Sequence, residues 1–172
     1  MQFHLDQSIE VLATTPAVLD ALLRNKSDAW LHCRKSPEAF TPIDVLGHLI
    51  LADETDWLPR ARTILEGGHT HFPPFDRFDF QRLIANKSIE TLLDDFATLR
   101  AQSLQTLTAL NLTEAQLDLT GKHPDFGPVT LRQLLATWVV HDLNHIQQIV
   151  KTMSNEYREA VGPWQAYLSI LH

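Results

Sequence analysis

Apolar residues recur along this chain at three- and four-residue intervals, and runs of alternating β-branched residues are missing. That spacing predicts helices almost throughout. A short turn of helix is expected near Ser8 to Ala13. Thr15 then reads as a cap with Pro16 at the first helical position, opening a helix that runs through Val18, Leu19, Leu22 and Leu23 to about Arg24. A second helix starts at the cap Thr41, with Pro42 next and Asp44 third, and ends at Gly67-Gly68 with a kink at Pro59. The third begins at Ser88 and carries Leu92, Leu93, Phe96, Leu99 and Leu107 to about Ala109. The fourth opens on the capping box Thr130-Leu-Arg-Gln133 and ends near Ser154, and a short helix follows Gly162-Pro163.

Four long helices without strands predict an all-α fold, a four-helix bundle with extra short helices. Two connections, Gly67 to Asp79 and Asp118 to Val129, are longer than the usual two to eight residues, and long loops are more often functional than idle. The chain has no internal repeat, low-complexity segment or linker, so residues 1–172 are read as one domain.

Inside the fourth helix, His141-Asp-Leu-Asn-His145 places two imidazoles one turn apart. They are offset by only about 40° around the axis and about 6 Å along it, so both rings reach one point. Neutral histidine is the commonest protein ligand for first-row metals. His48, in the second helix, is the third candidate, and three histidines with an open position describe a catalytic metal site. On a helical wheel His141, His145 and Gln148 lie on one edge of the stripe Leu131, Leu135, Trp138, Ile146, Ile149 and Met153. Asp142 falls in the middle of that stripe, where a carboxylate must be hydrogen-bonded or paired. It reads either as the group that orients a ligating histidine or as the partner of an arginine such as Arg132 or Arg158. Glu54 falls in the stripe of Ile43, Leu46, Ile50, Trp57, Ala61 and Ile64, and Asp44 lies one turn before His48. Asp44, Glu54 and Asp142 are therefore the candidate bases or orienting carboxylates, with pairing to an arginine such as Arg132 or Arg158 the alternative for all three. His69 and His71 read as loop residues, His123 as lining the mouth of the site, and His4, His32 and His172 as surface residues.

Charge and composition narrow the partners. The formal net charge is −7, with 14 basic against 21 acidic residues, no basic run and no glycine-rich phosphate loop, which argues against nucleic acid. No apolar run is long enough to span a membrane, and the amino terminus lacks the blocks of a signal peptide. The single cysteine, Cys33, rules out an internal disulfide and suits a reducing cytosol, so a cytoplasmic location is expected.

These residues together resemble the DinB/YfiT-like superfamily of bacterial four-helix-bundle, metal-dependent hydrolases. The resemblance covers nearly the whole chain. It rests on Thr-Pro-Ala-Val-Leu near the start, on Asp44-Val-Leu-Gly-His48-Leu with Asp53, Glu54 and Trp57 after it, and on His123-Pro-Asp-Phe-Gly-Pro. It is sharpest in Trp138-Val-Val-His141-Asp-Leu-Asn-His145 and in Tyr157-Arg-Glu-Ala-Val-Gly-Pro-Trp164. The family's ligand positions fall on His48, His141 and His145, and the resemblance implies one divalent ion per chain, nickel or zinc. It also implies a small-molecule substrate, including a low-molecular-weight thiol such as some relatives use for transfer or isomerisation, and a homodimer. Gln165 stands where many relatives carry arginine.

A three-histidine ion can activate water or a thiol. One rival is a zinc peptidase, since His-Asp-Leu-Asn-His is His-Glu-x-x-His with a carboxylate shorter by about one methylene. The other is a non-catalytic bundle that the ion merely stabilises. For thiol transfer, Phe72-Pro-Pro-Phe-Asp-Arg-Phe would wall or cover the pocket.

Overall fold

The computed structural model describes residues 2–67 and 71–172. Four long helical segments form the bundle: α1 (Leu5–Leu23), then, after the short α2 (Asp28–Leu31), the pair α3 (Pro42–Thr55) and α4 (Trp57–Leu65). A single turn, α5 (Gln81–Ile84), precedes α6 (Ile89–Ala109). The short α7 (Glu114–Leu117), strands β1 (Thr120–His123) and β2 (Gly127–Thr130), and α8 (Leu131–Asn155) complete the bundle, and two 3-10 segments, Gly162–Tyr167 and Ser169–Leu171, follow. The capping boxes at Thr41/Asp44 and Thr130/Gln133 form as their sequences predict, each side chain receiving the other residue's amide.

α1 packs on α6 and α8, and α3 packs on the same two helices. The consecutive long helices α1 and α3 therefore sit across a diagonal, as do α6 and α8. An up-and-down bundle with short loops places consecutive helices side by side. Here the connections must cross the end of the bundle, which gives a physical reason for their length.

Two prolines act differently from the expectation. Pro16 lies inside a continuous α1 rather than at a helix start. Its missing N–H leaves the Leu12 carbonyl without the usual donor, and buried Arg100 supplies one, Nη1 to the carbonyl oxygen at 3.0 Å. The second helix is broken at Asp56, three residues before Pro59, which cannot donate to Thr55 and whose ring crowds that carbonyl. The segment from Asp118 onward is not an open loop: β1 and β2 pair antiparallel from Thr120↔Thr130 to His123↔Gly127. This hairpin rests on α4 and α8.

The core divides into two hydrophobic halves. One holds Leu12, Trp57, Leu104 and Trp138, the other Leu19, Ile50, Phe96 and Ile149. Between these positions every bundle helix contributes to one buried polar layer: Thr15 from α1, Asp53 from α3, Arg100 from α6 and Asp142 from α8. Arg100 donates from Nε and Nη2 to the two oxygens of Asp53, at 2.7 and 2.9 Å. It also donates from Nη1 and Nη2 to Asp142, at 2.5 and 3.2 Å. Thr15 Oγ1 gives Asp142 a further bond at 2.7 Å.

Candidate metal centre

His48 comes from the middle of α3, and Gly47 beside it is what lets α5 close over that helix. A Cβ on Gly47 would lie 2.5 Å from the Ile84 side chain and 3.0 Å from Phe80. His141 and His145 come from successive turns of α8. The three rings converge. Their centroids lie 4.7 Å (His48–His145), 4.4 Å (His141–His145) and 5.2 Å (His48–His141) apart. One nitrogen from each falls within 4.8 Å of the others, and Nε2 of His48 is 3.1 Å from Nε2 of His141.

The donor set fits a divalent ion. Tetrahedral zinc with Zn–N bonds near 2.0–2.1 Å sets its nitrogens about 3.3 Å apart. Gln148 Oε1 accepts from His145 Nδ1 at 2.8 Å, which leaves Nε2 as the free ligand nitrogen. Burial, followed by the neighbouring His145 and His141 rings, pushes His48 down to about 3. Burial and then His141 push His145 down to about 4. Both rings are thus neutral, the ligating form, at neutral pH.

The walls are aromatic. Trp57 meets the His141 ring edge-on at 5.0 Å while stacking on Trp138, and Phe75 and Phe40 meet His48 at 5.6 and 6.0 Å. A cavity of about 320 Å³ opens onto His48 and His145, walled by Phe40, Arg77, Phe78 and Gln148. The loop from Phe72 to Phe78 therefore does wall the site, through Phe75, Arg77 and Phe78. Phe72 itself is buried beside His123.

The carboxylates are distributed otherwise than the helical wheel suggests. Asp44 accepts from the Thr41 amide at 2.9 Å and so closes the α3 cap. Glu54 is exposed and faces Arg82 at 3.6 Å; the buried carboxylate of that turn is its neighbour Asp53, which sequence reasoning gave no role. Asp142 is fully buried as expected, but its arginine is Arg100; Arg132 pairs with Glu114 and Asp118, and Arg158 donates to Asn155 and the Leu171 carbonyl. Asp142 Oδ1 also lies 3.9 Å from His141 Nδ1. Burial alone would raise Asp142, but the His141 ring, Arg100 and Thr15 hold it below the usual carboxylate range, whereas burial pushes Asp53 up against the pull of Arg100.

Asp56 was also missed. It sits buried at the α3–α4 break, paired with Arg60 at 2.5 Å. Burial raises its pKa against the opposing pull of Arg60, His141 and His123. Only the proline three residues later hints at the helix break on which it sits.

The remaining histidines lie apart from the cluster. His71 is exposed and bridges Lys122, and His69 lies outside the described residues. His123 Nδ1 accepts from the amides of Asp125 and Phe126 at 3.1 and 3.3 Å, and its ring stacks on Phe126. Cys33 is buried, and burial pushes its thiol pKa up.

A bundle with diagonal connections and three histidines converging from α3 and α8 defines a class of helical proteins able to hold a metal ion. The family model of the DinB superfamily matches residues 12–149, and the chain belongs to that superfamily. Among solved structures it is similar to YfiT from Bacillus subtilis, described as a probable metal-dependent hydrolase with an unusual four-helix bundle topology. That likeness has a TM-score of 0.74 and 24% identity over 88% of this chain and 86% of the other. It is also similar to TT2238, described as a four-helix bundle protein, with a TM-score of 0.57 and 20% identity over 86% and 98% of the two chains. Both likenesses show the four-helix-bundle fold. No curated protein matches this chain. Among the described residues no helix is long and apolar enough to cross a membrane.

Proposed function

We propose that the chain is a metal-dependent hydrolase that holds one divalent ion through His48, His141 and His145. The observation that carries this reading is the convergence of three imidazoles, two of them neutral by burial, beside an open cavity. Nickel or zinc suits an all-nitrogen donor set. Held by these three residues, such an ion would supply Lewis-acid chemistry toward a substrate oxygen or water.

The chain's own residues supply the rest. Gln148 fixes the His145 tautomer, and Asp142, anchored by Arg100 and Thr15, positions the His141 ring. Trp57, Phe40 and Phe75 keep bulk water off the ligand nitrogens. Asp44 and Glu54 serve the α3 cap and a surface ion pair.

The test is metal content. Purified protein is expected to carry about one divalent ion per chain, His145→Ala to lose most of it, and His71→Ala to keep it. Unchanged metal in His145→Ala would overturn the reading. Product analysis of the loaded enzyme with and without an added low-molecular-weight thiol then decides whether water or a thiol is the nucleophile.

A further inference from the structure

Beside the histidine centre lies a second cavity of about 340 Å³ that shares Ala39, Phe40 and Gln148 with the first. Gln148 therefore touches both spaces while it holds His145. The second cavity is lined by three cations, Lys35, Lys151 and Arg158, together with the amides of Asn144, Gln147 and Asn155, and by no acidic side chain. Arg77 lines the first cavity, where Glu38 is the one acidic side chain among the lining residues.

This concentration runs against the chain's own balance, a net charge of −7. Elsewhere Arg24, Arg60, Arg82, Lys87, Arg100 and Arg132 each meet a carboxylate, while Lys26, Arg34, Arg62 and Lys122, which line neither cavity, do not among the described residues. None of the four cations around the joined cavities meets one among the described residues. Arg158 is nonetheless held in place, donating from Nε to Asn155 Oδ1 at 3.0 Å and from Nη2 to the Leu171 carbonyl. A pre-oriented guanidinium flanked by two free ammonium groups and several amides is what an oxyanion requires. Unpaired like charges gathered in one concave place repel one another, and a bound anion relieves that repulsion.

We propose that the second cavity is an oxyanion subsite, taking the carboxylate or phosphate arm of a small molecule whose reacting group lies at the histidines. The placement of the reacting group rests on the hydrolase reading above. The anion subsite itself does not.

Nuclear magnetic resonance of the full chain, zinc-loaded and metal-free in parallel, tests it with three probes: succinate, inorganic phosphate and neutral succinamide. Saturable shifts of the Gln147, Lys151 and Asn155 amides are expected with at least one of the two anions and not with succinamide. Which anion binds tells a carboxylate arm from a phosphate arm. The double variant Lys35→Gln/Lys151→Gln changes two exposed side chains and is expected to weaken the anion about tenfold while metal content stays the same. Equal affinity in that variant would overturn the proposal. So would anion binding that disappears in His141→Ala but survives in the double variant, since the anion would then sit on the ion alone. Shifts at Lys151 in a chain that takes up no metal would support the subsite and end the hydrolase reading instead.

Discussion

His141 and Asp142 are neighbours in sequence, yet they belong to two polar clusters of opposite character. Asp142 joins Asp53, Arg100 and Thr15 in a layer that is at most about 1% exposed at its charged side chains, and its charged donors and acceptors meet one another. His141 joins His48 and His145 in a cluster held by one ring-to-ring contact at 3.1 Å, beside a cavity. The Nδ1 atoms of His48 and His141 find no hydrogen-bond partner. A buried polar cluster that satisfies itself fixes how helices meet. One whose ring nitrogens, Nε2 of His48 and of His141, converge on one another at 3.1 Å beside a cavity is built to receive something. The two come within 3.9 Å of each other at Asp142 Oδ1 and His141 Nδ1, so the structural layer lies directly behind the candidate ligand.

The largest effect that would sharpen this contrast is at Arg100. Arg100→Met leaves two buried carboxylates without their counterion, and breaking a buried pair in this way costs about 3–5 kcal/mol. Urea unfolding is expected to show a loss of that size, whereas His48→Gln, in the other cluster, is expected to change metal binding far more than stability. Comparable stability losses from the two variants would break the distinction.

Acid separates the clusters next. His48 and His145 have folded-state values of about 3 and about 4, below the roughly 6.5 of an unfolded chain. In the metal-free protein the unfolded state therefore takes up protons first. The stability these two histidines contribute is full above about pH 6.5 and is lost as pH falls toward 4 and then 3. Thermal unfolding between pH 7 and pH 4.5 is expected to show this loss, and to show a smaller one in His48→Gln. An identical pH slope in wild type and variant would count against neutral, buried rings at this site.

The smallest effect is expected at Gln148, whose hydrogen bond to the centre is to His145 Nδ1. Gln148→Ala frees the Nδ1 proton, and losing such a support typically costs about 10–100-fold in metal affinity. We expect the lower end, because the site stays buried among Phe40, Phe75 and Trp57. A competition titration against a chromophoric chelator reads the change, and no change would mean that packing alone orients His145.

Much of this molecule was legible in the residues because the signals were local. Helical periodicity, the capping boxes at Thr41 and Thr130, and the four-residue spacing of His141 and His145 depend on neighbours within one or two turns. They forecast the helices and the candidate ligands. What tertiary structure decided were the relations between helices, which no local pattern carries. The wheel put Glu54 in the apolar stripe, but the face that α3 turns inward brings Asp53 to Arg100 instead. Pro16 looked like a helix start because Arg100, the donor that satisfies the Leu12 carbonyl Pro16 leaves free, lies 88 residues beyond Leu12. Asp56 emerged only from the helix break. The diagonal placement of consecutive helices likewise follows from which faces bury together. Only that packing brings His48 within 3.1 Å of a residue 93 positions further along the chain.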